Sequence, residues 1–274
     1  MSNLTQALEL LDSAASESPS IPWLLDWAET IMGLRTLVVH PEGLHQRELE
    51  ACGPAAFFRL WFSRDPLGAA TFGYRLLKSG SANIGPLTIS PGAQLLQRNY
   101  AALRTTANAV TTRLPGPEEW MLLSALRDSE NILIPFHGDP DSPLDHAAGV
   151  TLPSTIMSWL EATNIYSMVT NHTDVAGATW ESLQALNPSP IADVLLLMYS
   201  GFYVLYPTPS GAAAGADWLR WPNHYIQLIS PVAVGASPGW MKLSLWTWGR
   251  NEVDKWTSQD KFISNYFGPI IAYI

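Results

Sequence analysis

The stretch Gln46-Arg-Glu-Leu-Glu-Ala-Cys52-Gly53-Pro54-Ala55-Ala-Phe-Phe-Arg-Leu-Trp-Phe62 predicts a helix that begins at the chain's one cysteine. From Cys52 onward apolar residues recur at helical spacing, and Pro54 falls in the first turn, where a missing N–H costs nothing. Helices are expected on both sides of it. Leu4, Leu8 and Leu11 share one helical face, and a second helix runs from Pro22 to Gly33 with Trp23, Leu24, Trp27 and Ile31 inward. Thr36–His40 reads as a short strand. Asp65-Pro66 opens a helix to Lys78, Gly80–Ser90 is a loop or short hairpin, and one long helix follows Pro91. Glu118–Arg127, Pro153–Glu161, Trp180–Leu186 and Ile191–Met198 read as further helices. Then the character changes. Gly201–Tyr206, His224–Ile229 and Met241–Trp248 are rich in β-branched and aromatic residues and read as strands. Gly235–Gly239 is a turn that makes the last two a hairpin. Helices first and strands later predict an α+β fold, with a helical N-terminal half and an antiparallel sheet in the C-terminal half.

The bulk numbers narrow the function classes. Apolar residues make up 47% and charged residues 14% of 274, against a usual ~25% charged, which excludes a disordered chain. A net charge of −9, with no run of Lys or Arg, argues against nucleic acid and anionic membrane as partners. The most apolar stretch, Val194–Tyr206, is shorter than the ~20 residues a membrane span needs. One cysteine allows no internal disulfide. Met1–Thr5 lacks the basic and apolar regions of a secretory signal, so the expected place of synthesis is the cytoplasm.

Cys52 carries the chemistry. A thiolate at a helix start feels the positive end of the helix dipole, which favours the nucleophilic form. Taken alone, it is equally well a small buried residue. Gly53 lets a substrate approach the backbone closely. Gln46, six residues upstream, offers a neutral side-chain amide that stabilises a developing oxyanion without pairing with the thiolate. His224 opens a strand and shares its parity with Ile226 and Leu228. Strand alternation puts Met241, Leu243, Leu245 and Thr247 on one apolar face, which makes Thr247 a candidate to contact His224. Asn251 and Asp254 just beyond it are the other candidates for a third catalytic residue, and a Cys–His dyad without one also fits.

Gln46-x5-Cys52-Gly53-Pro54-Ala55 resembles the papain-like cysteine peptidases, closest to the bacteriocin-processing branch that cleaves double-glycine leaders. Asn223-His224-Tyr225-Ile226-Gln227-Leu228 is similar to the family's histidine strand. Trp246-Thr247-Trp248-Gly249 is similar to its Asn-Ser-Trp-Gly run, with Trp246 where the Asn stands. The resemblance implies a papain-like catalytic domain over 41–274 behind a helical extension over 1–40. It implies Cys52 as nucleophile, His224 as base, Gln46 with the Cys52 N–H as oxyanion hole, and a protein or peptide substrate. No metal and no organic cofactor are needed. Glu118–Asn131 and Trp246–Gly249 are also similar to little-characterised bacterial papain-like proteins. That likeness implies a toxin or effector delivered into another cell by a specialised secretion system, with a cognate immunity protein as partner. The departure at Trp246 leaves a thiol amidase, a glutamine deamidase, or a catalytically inactive protein-binding module as alternatives.

Three other stretches stand out. His137-Gly-Asp139-Pro-Asp141-Ser-Pro-Leu-Asp145-His146 gathers imidazoles and carboxylates, but without a known ligand spacing, and reads as a solvated loop rather than a metal site. Gly211–Ala216 is a flexible connection or a lid before His224. Trp218, Trp221, Trp240, Trp246 and Trp248 crowd around His224 in sequence and serve core packing or wall a cleft.

Overall fold

The computed structural model describes residues 2–107, 113–130, 135–142, 145, 151–200, 221–235 and 237–274. It divides into two compact units, Met1–Leu152 with Ala162–Ile165, and Pro153–Glu161 with Tyr166–Ile274.

The first unit is helical. Helix α1 (Asn3–Ala15) is capped by Ser2, whose Oγ accepts the Thr5 N–H at 3.1 Å. It buries Ala7, Leu11 and Ala14, and Leu4 is exposed, so the inward stripe is rotated from the expected leucine face. Helix α2 (Trp27–Val39) is capped by Asp26, which accepts the Glu29 N–H at 2.7 Å. It buries Ile31, Leu34, Leu37 and Val38 at helical spacing, so Thr36–Val39 is helix and not the expected strand. Burial of one stripe outweighs the modest helix penalty of the β-branched residues. A 3₁₀ turn at Pro41–Gly43 leads toward α3 (Cys52–Arg64) and α4 (Pro66–Ser79). Asp65 caps α4 by accepting the Gly68 N–H at 3.1 Å. Phe58 and Trp61 of α3 meet Phe72 of α4 with ring centroids 5.8 and 5.2 Å apart.

Strands β1 (Ala82–Ile84) and β2 (Leu87–Ile89) form a small hairpin. The single helix expected after Pro91 is two, α5 (Ala93–Leu96) and α6 (Tyr100–Ala107). Asn99 causes the break, because its Oδ1 takes the Ala102 N–H at 3.0 Å and starts a new helix. Helix α7 (Pro117–Glu130) closes the unit. Asp128 at its end accepts the N–H groups of Gly92 and Phe136, at 2.6 and 3.0 Å.

The second unit contains α8 (Pro153–Ala162, up to Glu161) and a seven-stranded antiparallel sheet. In chain order the elements are β3 (Met168–Asn171), α9 (Trp180–Gln184), β4 (Ala192–Met198), β5 (His224–Leu228), β6 (Ala233–Val234), β7 (Trp240–Thr247), β8 (Arg250–Ser258), α10 (Gln259–Ile263) and β9 (Tyr266–Tyr273). The sheet order is β3-β9-β4-β5-β7-β6, and β8 pairs with β7. Its core gathers Val194, Leu196, Met198, Ile226, Leu228, Met241, Leu243, Leu245 and Phe262. The expected Ile191–Met198 helix is the strand β4, with all seven residues buried. A central strand covered on both faces has no polar alternation, so it reads like an apolar helix segment. The expected Gly201–Tyr206 strand, the Gly211–Ala216 segment and Trp218 lie outside the described residues. Among the described residues no helix is long and apolar enough to cross a membrane. Helical and antiparallel-sheet parts together make the chain α+β.

Candidate active site

Cys52 is the first residue of α3 and is 8% exposed. The residue before it, Ala51, has no side-chain oxygen to cap the helix. Gly53 is not open to a substrate as the sequence suggested. A Cβ built on it would lie 2.5 Å from the Cβ and Oγ1 of Thr151, so the space beside its backbone is filled from within the unit. Arg127 on α7 is buried as well. Burial lowers its pKa most, while the charges of Glu130 and of a Cys52 thiolate act to keep the guanidinium charged. That attraction is mutual, so a thiolate at Cys52 has a buried cation within electrostatic reach.

Gln46 lies in the segment that leads into α3. Its side chain is buried, and its Oε1 has no hydrogen-bond partner among the described residues. Its backbone is held from several sides. Glu119 on α7 accepts the His45 N–H at 2.6 Å through Oε1 and the Gly116 N–H at 3.0 Å through Oε2. Nδ1 of His45 accepts the Arg47 N–H at 2.7 Å, and the Gln46 carbonyl accepts the Leu49 N–H at 3.1 Å. Arg47 itself sits in the left-handed region, at φ +54°.

His224 opens β5 and is 4% exposed. Its Nε2 lies 2.9 Å from Oγ1 of Thr247, the last residue of β7, which is fully buried. The imidazole stacks on the indole of Trp248. Burial pushes the His224 pKa down to about 3, so the ring is neutral at pH 7. Thr247 is therefore the third-residue candidate that the structure sets against His224. Asn251 and Asp254 lie on the exposed strand β8, opposite Trp246 and paired with Lys242 respectively. Trp246 is buried, whereas Trp221 and Trp240 are exposed.

The sheet unit thus brings His224 and Thr247 into contact, while Gln46 and Cys52 both belong to the helical unit, the one on the segment leading into α3 and the other at its first residue. Two further residues escaped the sequence reading. Glu119 carries a detectable signal, an acidic residue three positions after the helix-capping Gly116. Arg127 carries none, because a basic residue in the last turn of a helix ordinarily serves the dipole.

The histidine–carboxylate loop is built around Asp145. Its carboxylate accepts the N–H groups of His137 and Asp139 at 3.0 and 2.8 Å, and Oδ1 lies 3.2 Å from Nδ1 of His137. His137 Nε2 is 3.1 Å from Gln94 Oε1, at a polar cleft of about 600 Å³. Among the described residues no group of three or more His, Cys, Asp or Glu is placed to hold a metal, and His146 lies outside them.

No family model matches the chain, and no curated protein or solved structure matches it.

Proposed function

We propose that the chain is a papain-like thiol hydrolase that transfers an acyl group from an amide to water. His224 takes the proton of Cys52, and the sulfur attacks the amide carbonyl. The Gln46 amide and the Cys52 N–H hold the oxyanion, and His224 returns the proton to the leaving amine. Water then attacks the thioester, the C–S bond breaks, and the thiol is restored. Thr247 holds the ring: with Nε2–H donated to Thr247 Oγ1, Nδ1 is left with its lone pair, as a base requires. The observation that supports this reading most is that bond, a buried neutral imidazole oriented by a buried hydroxyl. Peptides and proteins are the proposed substrates, and delivery into another cell remains part of the same proposal.

The depth of Cys52 and His224 favours a second reading, a papain-like module that binds a protein without catalysis. Alkylation by iodoacetamide separates the two. The hydrolase reading expects Cys52 to react faster than a free thiol at pH 7, and His224→Ala to slow it at least about tenfold. A thiol that is inert, or equally reactive in both proteins, overturns the hydrolase reading and leaves the binding module.

A further inference from the structure

We infer that Glu119 is the positioning residue of the oxyanion hole, fixing the Gln46 side chain through the backbone N–H of the residue directly before it. The inference rests on the thiol-hydrolase reading of Gln46 and Cys52.

The geometry is specific. One carboxylate grips two segments at once, the N–H of His45 directly before Gln46 and the N–H of Gly116 at the start of α7. The next peptide after Gln46 is held by the His45 ring through the Arg47 N–H. Gln46 therefore sits between two anchored peptides, and one of those anchors is a carboxylate on a different helix. An oxyanion donor is effective only if it is already aimed when the charge forms, so the element that fixes its backbone shares in the catalysis. A buried carboxylate in a loop-gripping role is otherwise costly: desolvation pushes Glu119 up to about 7, with Glu118 beside it adding repulsion and Arg47 acting in the opposite direction. The protonated acid puts an O–H where an N–H must be accepted, so the grip weakens below that pH.

Two reactions of the same thiol isolate this effect. With p-nitrophenyl acetate, an S–C bond forms, the ester C–O bond breaks through a tetrahedral oxyanion, and p-nitrophenolate leaves. With iodoacetamide, an S–C bond forms, the C–I bond breaks, iodide leaves, and no oxyanion arises. Both need the same thiolate, so the ratio of the two rates, read by intact mass, reports the oxyanion hole alone.

Glu119→Gln should lower that ratio at least about tenfold with alkylation unchanged, and Gln46→Ala should do the same. The double variant should fall no further than Gln46→Ala, since both act through one group. In the wild type the ratio should drop as pH falls through about 7, and in Glu119→Gln it should be flat. Glu118 beside it, raised to about 7 as well, and His45, Arg47, Glu48 and Glu50 on the loop are the other titratable groups here, and a step that persists in Glu119→Gln would belong to one of them and overturn the inference. So would an unchanged ratio, or acylation and alkylation falling together. If Glu119→Gln does not fold, Gln46→Ala decides, because a pH step surviving without the Gln46 amide overturns the inference equally. Absence of both reactions in the wild type sinks the hydrolase reading itself, which is a different result from a changed ratio.

Discussion

The indole of Trp248 lies flat against the imidazole of His224, ring centroids 4.5 Å apart and planes 19° from parallel. Trp248 reaches it from the first position of a two-residue turn joining β7 to β8, at φ +45°, with Gly249 following at +74°. Positive φ at both positions is what a hairpin turn of this twist needs, but a Trp there costs roughly 1–2 kcal/mol of backbone strain. The stacked ring offsets that strain and keeps water from the imidazole. Trp248→Gly should relax the turn and wet the ring together. The His224 pKa then rises from about 3 toward the ordinary 6.5, as an NMR titration of the imidazole would show. An imidazole still neutral at pH 4 in the variant would mean that other groups seal it.

Thr247→Val keeps the shape of the side chain and removes the oxygen that faces Nε2. The orphaned ring nitrogen should cost about 1–3 kcal/mol, visible in urea unfolding. On the thiol-hydrolase reading, alkylation of Cys52 should also slow, because the imidazole loses its fixed tautomer and orientation. Thr247→Ser should restore both. A valine variant with wild-type stability and reactivity would show that the hydroxyl does not orient the ring.

Gly53→Ala tests the packing at the start of α3. The new methyl group meets the Thr151 side chain at 2.5 Å, closer than atoms can sit, so one segment has to move. The expected destabilisation is about 1–3 kcal/mol. Removing the obstacle in Gly53→Ala/Thr151→Gly should recover part of it, beyond the sum of the single effects. Additive losses in that cycle would mean that the two positions do not touch.

Glu118 makes stability depend on pH. Its carboxyl packs against Gly33 and Gly116, and burial pushes its pKa up to about 7. Between the ordinary value of 4.5 and 7, the folded chain binds more protons at this site than the unfolded chain does. Its contribution is therefore full below pH 4.5, declines as pH rises, and is gone above 7. Glu118→Gln should be increasingly more stable than the wild type from pH 4.5 to 7, measured as the difference in urea midpoint. Comparing the two proteins removes the opposite slope from His224, which is lost on acidification below its ordinary pKa. A difference that does not vary with pH would show that Glu118 titrates normally.

Much of the fold follows from local chemistry, and where it does not the cause is tertiary. Helix α3 is legible because apolar residues recur at helical spacing from Cys52 onward and Pro54 sits where proline is harmless. Helix α4 is legible through Asp65-Pro66. The pairing of β5 with β7 is expected from the Gly235–Gly239 turn, and they do pair, although strand β6 lies between them in the chain and also pairs with β7; Thr247 is placed against His224 by the same alternation as Met241, Leu243 and Leu245. Strand β4 is illegible for a physical reason: burial on both faces erases the period that tells strand from helix. Thr36–Val39 misleads in the other direction, since β-branched residues favour strands until one helical stripe finds a partner. Strand β8 is hidden because most of its residues, Asn251, Asp254 and Lys255 among them, are exposed and polar like those of a loop. At the site, Gln46, Cys52 and His224 are visible as residue types. The contacts of Glu119 and the burial of Arg127 are not, beyond Glu119's place three residues after Gly116, since both depend on segments far away in the chain.

The order in which the chain visits its two units has a consequence for synthesis. The helical unit takes Met1–Leu152 and then Ala162–Ile165, with the first helix of the other unit in between. The late return is not idle, since the Ala162 carbonyl lies against Gly85 in the β1–β2 turn. A ribosome that has released residue 152 has therefore not yet supplied all of that unit. It must wait for about a dozen more residues, and the sheet must wait for strand β9 at Tyr266–Tyr273, about a hundred residues later still. Folding during translation is thus staged, with the half that carries Cys52 complete long before the half that carries His224.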